Sequence, residues 1–93
     1  MIFVVDSADV ERLETARAEL HAILEEEDLK DATLLVMANK QDQPGALKAP
    51  AISEKLGLGT ITNRQWSIQE AVAARGEGLT EGFDWLVESL KAS

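Results

Sequence analysis

Thr33-Leu34-Leu35-Val36-Met37-Ala38-Asn39-Lys40-Gln41-Asp42 is the stretch whose reading decides the fold. From Thr33 to Ala38 no charged residue interrupts the run. A strand with one wet face would alternate apolar and polar residues. A continuous run means that both faces are covered, as in a parallel sheet between layers of helix. The run then stops at a fully polar segment, Asn39 to Asp42. Turn formers continue to Ala49, with Pro44-Gly45 among them.

Upstream, Ile2-Phe3-Val4-Val5 is a second run of the same kind, stopped by Asp6-Ser7. Between the two runs, Leu13, Ala16, Leu20 and Ile23/Leu24 recur at helical spacing. They predict an amphipathic helix to about Glu27, with Asp9 as N-cap, Glu11 in the first turn and Glu25 to Asp28 as a solvated end. Downstream, Pro50 suits a first helical position and Gly57 the residue just past the end of a short helix closing near Leu56. Trp66 to Ala74 is a third strand candidate, diluted by Gln69, Glu70 and alanines. Gly76 and Gly78 punctuate, and Leu79, Phe83, Leu86 and Leu90 mark a final amphipathic helix. The order β-α-β-α-β-α predicts a three-layer α/β fold with a parallel sheet and right-handed crossovers. No internal repeat, low-complexity stretch or linker divides the chain.

The totals bound the function. Ninety-three residues make one small domain, which buries roughly 60–65% of the surface its unfolded chain exposes. A net charge of -8, from 17 acidic and 9 basic residues, argues against nucleic acid or an anionic membrane surface as a partner. The absence of cysteine excludes disulfides, thiolate metal sites and cysteine nucleophiles, and fits a reducing compartment. The longest apolar run is too short to span a bilayer. Met1 to Asp6 has no signal-peptide pattern, and position 2 is not the glycine that myristoylation requires. These features predict a cytoplasmic protein with no direct membrane anchor in this chain.

In an open parallel sheet, ligands sit beyond the carboxyl ends of the strands. Asn39-Lys40-Gln41-Asp42 lies there, and its chemistry suits a purine. The Asp42 carboxylate can accept from both the ring N–H and the exocyclic amine of guanine, a pair that adenine lacks. The Asn39 amide can bond the purine N7 and neighbouring loop groups, and the stem of Lys40 can lie along the ring face. Charge-assisted bonds of this kind are worth roughly 1–3 kcal/mol each. A base without the donors would leave Asp42 unpaired, so discrimination would be large. The bland alternative is a plain turn. Three fixed letters arise by chance in about one chain in a hundred of this length, and their placement after a buried strand lowers that further. Val72-Ala73-Ala74, before Arg75-Gly76-Glu77-Gly78, carries no side-chain chemistry; a backbone N–H there could meet a base carbonyl, but a strand end plus loop explains it equally.

Val4-Val5-Asp6-Ser7-Ala8-Asp9, Ala38-Asn39-Lys40-Gln41-Asp42 and Gly76-Glu77-Gly78-Leu79 with Asp84-Trp85-Leu86 resemble the Arf and Arf-like branch of small GTPases. Gln43-Pro44-Gly45-Ala46-Leu47 and Asn63-Arg64-Gln65-Trp66 are similar to Arf-like members too, in the same order. The resemblance covers nearly the whole chain. It implies that Asn39, Lys40 and Asp42 bind guanine and that Ala73 gives a backbone N–H to the base carbonyl, with Val72 and Ala74 as weaker candidates. The family usually reads Cys-Ala-Thr or Ser-Ala there, so a neighbouring hydroxyl is lost. Family members also carry a Gly-x-x-x-x-Gly-Lys-Ser/Thr phosphate loop, a magnesium-binding Thr and an Asp-x-x-Gly-Gln segment. This sequence has no Gly-Lys pair, and Asp42-Gln43-Pro44-Gly45 spells Asp-x-x-Gly only by coincidence.

The resemblance thus implies residues 1–93 as the C-terminal half of a GTPase domain, part of a GTP/GDP switch in vesicle-mediated transport at the Golgi. It implies GTP or GDP as ligand through base contacts only, with no catalytic residue and no magnesium ligand in this chain. Hydrolysis would have no machinery here. Exchange factors, GTPase-activating proteins and membrane-traffic effectors are the partners the family implies. In the family the first strand pairs with the phosphate-loop strand, so its edge would be bare here and open to self-association. The alternative function is a non-catalytic interaction module that pairs this edge with another chain. Elsewhere, bland readings prevail. His21 reads as a surface or boundary residue, Asp6 and Asp9 as turn and cap residues, and Trp66, Phe83 and Trp85 as core or boundary packing. Arg12, Arg17, Lys30 and Lys91 read as solvated charges.

Overall fold

The computed structural model describes residues 1–29 and 31–92. Lys30, read above as a solvated charge, lies outside the described residues. Three parallel strands form one sheet: β1 (Ile2–Asp6), β2 (Leu34–Asn39) and β3 (Trp66–Glu70), in the spatial order β1-β2-β3. Helices α1 (Leu13–Leu24), α2 (Ala49–Leu56) and α3 (Leu79–Ala92) alternate with them, as the apolar periodicities predict.

The central strand explains the three layers. Leu34, Val36 and Ala38 point to one face, where they join Leu13, Leu20, Leu24, Ile52 and Leu56 of α1 and α2. Leu35 and Met37 point to the other, against Leu79, Trp85 and Leu86 of α3. Every residue from Leu34 to Ala38 is buried, which is why the run shows no alternation. β1 is covered on one face only. Phe3 and Val5 pack towards α1, whereas Ile2 and Val4, level with Leu35 and Met37 on the α3 side, are 44% and 61% exposed.

Several expectations shift in detail. α1 begins at Leu13, after a 3-10 turn at Val10–Arg12, and Asp9 makes no side-chain cap hydrogen bond; its carboxylate pairs instead with Arg12 at 3.2 Å. The helix closes at Leu24 rather than Glu27, because Glu27–Leu29 winds into a separate 3-10 turn. α2 carries Pro50 in its first turn and ends on Gly57 in the left-handed conformation, as predicted. β3 stops at Glu70, four residues before Ala74, because Ala73–Arg75 coils into a 3-10 turn. In α3, Phe83 is 44% exposed rather than packed, and Val87 and Leu90 are exposed with it. The helix is therefore apolar over a wider arc than the sheet covers.

Two polar side chains tie neighbouring elements together. The Arg64 guanidinium donates to the carbonyls of Leu24, Leu29 and Ala32 at 3.0, 2.6 and 3.1 Å, tying the end of α1 and the following loop to the approach of β3. A ring nitrogen of His21 bonds the Leu56 carbonyl at 2.8 Å, joining α1 to the end of α2. His21 is thus a boundary residue with a structural partner.

Candidate functional site

The carboxyl ends of the three strands meet at one rim, and loop residues cross-link them. Asn39 is the last residue of β2 and the ladder partner of Asp6 in β1. The next residue, Lys40, has a φ of 62°, in the left-handed region that residues with a Cβ seldom adopt. This sharp turn is pinned on both sides. The Ser7 N–H donates to the Asn39 carbonyl at 3.0 Å, the Ala71 N–H to Ala38 at 2.9 Å and the Gln41 N–H to Ala71 at 3.1 Å.

Beyond the turn, the Gln41 side-chain amide donates to Ser7 Oγ at 2.9 Å and to the Leu47 carbonyl at 2.8 Å. Leu47 N–H returns to the Ser7 carbonyl at 2.9 Å. Ser7, fully buried, is therefore the post to which the whole loop from Gln41 to Leu47 is moored. The mooring leaves Asp42 exposed at the rim, where a carboxylate can meet a ligand without first breaking a buried contact.

The second segment comes to the same place from β3. The Ala73 N–H donates to Asn39 Oδ1 at 2.8 Å, across 34 residues of sequence. Val72 and Glu77 exchange backbone hydrogen bonds as an antiparallel bridge, so the Val72 N–H is engaged by Glu77. Ala74 is exposed. Gly78 then turns the chain into α3 with a φ of 81°, and a Cβ at this position would collide with the Glu70 carbonyl oxygen. Only glycine fits a turn that is both left-handed and pressed against backbone.

The structure thus brings Asn39 and Ala73 into direct contact, with Lys40 and Asp42 beside them on one loop. Lys40 is drawn the other way, towards β1: its Nζ lies 2.9 Å from Asp6 Oδ2. The hydrogen bond from Lys40 holds the Asp6 carboxyl below its usual range, helped by the N–H of Ala8 at 2.9 Å on the other oxygen. The same bond, with the neighbouring charges of Asp6, Asp9 and Asp42, raises the Lys40 amine. Asp6 therefore does serve the turn, through Ala8, but its second partner was invisible in sequence. So was Ser7, the mooring of Gln41. The signal available for both was their place immediately after a buried strand, level with the end of β2.

Residues 1–90 match the profile of the Arf, or ADP-ribosylation factor, family. The chain belongs to the ADP-ribosylation factor family. Among curated relatives, it is 56% identical over 91 residues to ADP-ribosylation factor-like protein 1 of Saccharomyces cerevisiae, covering 98% of this chain and 50% of the relative. It is 54% identical over 92 residues to ADP-ribosylation factor 1 of Brassica rapa, and 53% identical over 92 residues to ADP-ribosylation factor 3 of Arabidopsis thaliana. Each of those matches takes in 99% of this chain and 50% of the relative. The chain spans about half the length of the curated relatives it matches. Among the described residues, no helix is long and apolar enough to cross a membrane.

Proposed function

We propose that these residues are the guanine-reading part of an Arf-like GTP/GDP switch in vesicle-mediated transport. The observation that carries the reading is the bond from Ala73 N–H to Asn39 Oδ1, which joins the two segments that the family resemblance assigns to the base. Asp42 stands exposed on the same loop, free of the burial that would cost a carboxylate its hydration. A guanine entering here would give its ring N–H and exocyclic amine to Asp42. Its carbonyl would share or take over the Ala73 N–H. Asn39 would then keep its side-chain amine for N7.

The phosphate cradle, the magnesium-binding Thr and the water-positioning Gln of the family have no counterpart in these 93 residues. GTP and GDP would therefore be held through the base, and the chain by itself would not hydrolyse GTP. Membrane traffic, Golgi association, exchange factors, GTPase-activating proteins and effectors belong to the proposal at the level of the whole family member.

The test is titration of guanosine, GDP, GTP and ATP, followed through the chemical shifts of Asn39 to Asp42. Guanine compounds should bind at micromolar to millimolar strength, roughly −8 to −4 kcal/mol. Guanosine, GDP and GTP should be nearly equal, and magnesium should have little effect. Asp42→Asn should erode the preference over adenine, because an amide offers one acceptor where a carboxylate offers two. Tight, magnesium-dependent preference for GTP over GDP would contradict the assignment, as would phosphate release abolished by Asp42→Ala.

A second reading rests on a different surface. β1 is an edge strand with Ile2 and Val4 exposed, which supports an interaction module that pairs this edge with another chain. Stabilisation by a partner strand, with none by guanosine, would favour it.

A further inference from the structure

We infer that Asp6 is a positioning residue for base recognition: its carboxylate holds Lys40 so that the methylene stem of the lysine is set to cover the face of a bound guanine. The inference rests on the guanine reading above and adds a residue to it.

Three observations point the same way. First, Asp6 is itself fixed. Its Oδ1 accepts the Ala8 N–H at 2.9 Å, which leaves Oδ2 directed to Lys40 Nζ at 2.9 Å. Second, Lys40 is the only residue other than glycine with a positive φ among the described residues. A disfavoured backbone of this kind persists where surrounding contacts over-determine it, and such residues cluster at ligand clamps. Third, the two neighbours of the β2 end are pulled apart. Asn39 is bonded towards the β3 side, through Ala73, while Lys40 is bonded towards β1, through Asp6. The lysine side chain thus reaches from the end of β2 to the end of β1, while the Asn39–Ala73 bond reaches from the end of β2 towards β3. The lowered Asp6 carboxyl and raised Lys40 amine agree with this pairing.

Stability alone does not account for the arrangement. The Lys40 side chain is 53% exposed and that of Asp6 34%, and ion pairs this open to solvent add little to folding. The gain comes on binding. A free lysine must surrender most of its rotamer freedom to lie flat on a ring, whereas a lysine already tethered at its tip has lost that freedom beforehand. The contact is also indifferent to which groups decorate the purine. Asp6 should therefore set strength, and Asp42 should set selectivity.

The experiment compares guanosine and inosine binding by the full chain in wild type, Asp6→Asn, Asp6→Glu, Lys40→Met, Asp42→Asn and the Asp6→Asn/Lys40→Met double variant. In Asp6→Asn the new side chain still accepts from Ala8 but presents an amine to Lys40, so the turn is kept and the tether is cut. Asp6→Asn should weaken both nucleosides by about three- to tenfold, from the rotamer freedom restored to the lysine. It should leave the guanosine-to-inosine ratio unchanged and move the thermal midpoint by no more than a few degrees. Asp6→Glu should recover part of the loss. In the Lys40→Met background, Asp6→Asn should do nothing further. Asp42→Asn should instead collapse the ratio. Wild-type affinity in Asp6→Asn overturns the inference while leaving the guanine reading intact. So does an equal loss with and without Lys40, because Asp6 would then act through the loop and not through the lysine. No guanosine binding by folded wild type overturns the guanine reading and this inference together.

Discussion

The carboxyl rim of the sheet and the outer edge of β1 are parts of the same three strands, yet they are built on opposite terms. At the rim, Ser7, Asn39, Gln41, Ala71 and Ala73 are tied to one another by backbone and side-chain hydrogen bonds across strand boundaries. On β1, Ile2 and Val4 are exposed, and on α3 Phe83, Val87 and Leu90 are exposed. The rim is polar and self-sufficient. The outer strand instead keeps apolar side chains exposed on one face. The difference shows that the ends of parallel strands can be densely cross-linked by polar contacts while one face of the outer strand stays exposed.

The largest effect that would break this contrast is at Gly78. Gly78→Ala should destabilise the chain by about 3 kcal/mol or more, since the new Cβ meets the Glu70 carbonyl and the residue must still hold φ near 81°. In so small a domain this approaches the whole folding free energy. Urea unfolding by circular dichroism measures it. A change under about 1 kcal/mol would mean that the rim is far more yielding than its bonds suggest.

Next in size is Gln41→Ala, which removes both donors that moor the loop to Ser7 and Leu47. The loss should be about 1 kcal/mol, at the modest end for two bonds. Gln41 Oε1 is buried with no hydrogen-bond partner among the described residues, so removing the amide also relieves a cost. Amide exchange should rise at Leu47 and Ser7 and leave β1 from Phe3 to Val5 unaffected. Uniform loss of protection would merge the two regions that the comparison separates.

The edge should behave in the opposite way. Val4→Lys places a charge on a surface that is already 61% exposed, so folding stability should move by less than about 0.5 kcal/mol. Association should fall, because a charge on an edge strand opposes pairing with another chain. Sedimentation of wild type and variant over a concentration series tests this. A large loss of stability with unchanged association would show that Val4 is part of the core.

The smallest effect concerns pH. Asp6 is held below its ordinary value of 3.8, chiefly by the Lys40 hydrogen bond, so its contribution is complete above that pH and fades as pH falls through the lower folded value. Lys40 is raised above 10.5, chiefly by the Asp6 hydrogen bond, so its contribution is complete below that pH and is lost as pH rises through the higher folded value. Across the neutral range the pair should contribute a constant, slight amount. Side-chain titrations by carbon and nitrogen shifts should find both displacements, and Lys40→Met should return Asp6 towards 3.8. An Asp6 carboxyl that titrates at its ordinary value with Lys40 present would show that the rim pair is not formed.

What the amino-acid sequence determined by itself is everything governed by near neighbours. The run from Leu34 to Ala38 had to be a strand covered on both faces, because its residues allow no wet face. Ile2 to Val5, expected from its run to be buried in the same way, forms a strand with Ile2 and Val4 exposed on one face. Leu13, Leu20 and Leu24 had to share a helix face, and Gly57 had to end a helix, because spacing and φ preference are local properties. That the polar tetrad closes β2 and opens a loop was legible for the same reason. Tertiary structure alone decided which distant groups answer each other. Asp6 finds Lys40 and Asn39 finds Ala73 over 34 residues, and Arg64 reaches Leu24 over 40. It also decided that β3 stops at Glu70, since Asn39 takes the Ala73 N–H and the Val72–Glu77 bridge turns the chain away. Phe83 carries the same lesson from the other side. Its helical spacing matched Leu79 and Leu86, but which part of a wide apolar arc meets the sheet depends on where the sheet ends, and that is set by strand order and not by the helix.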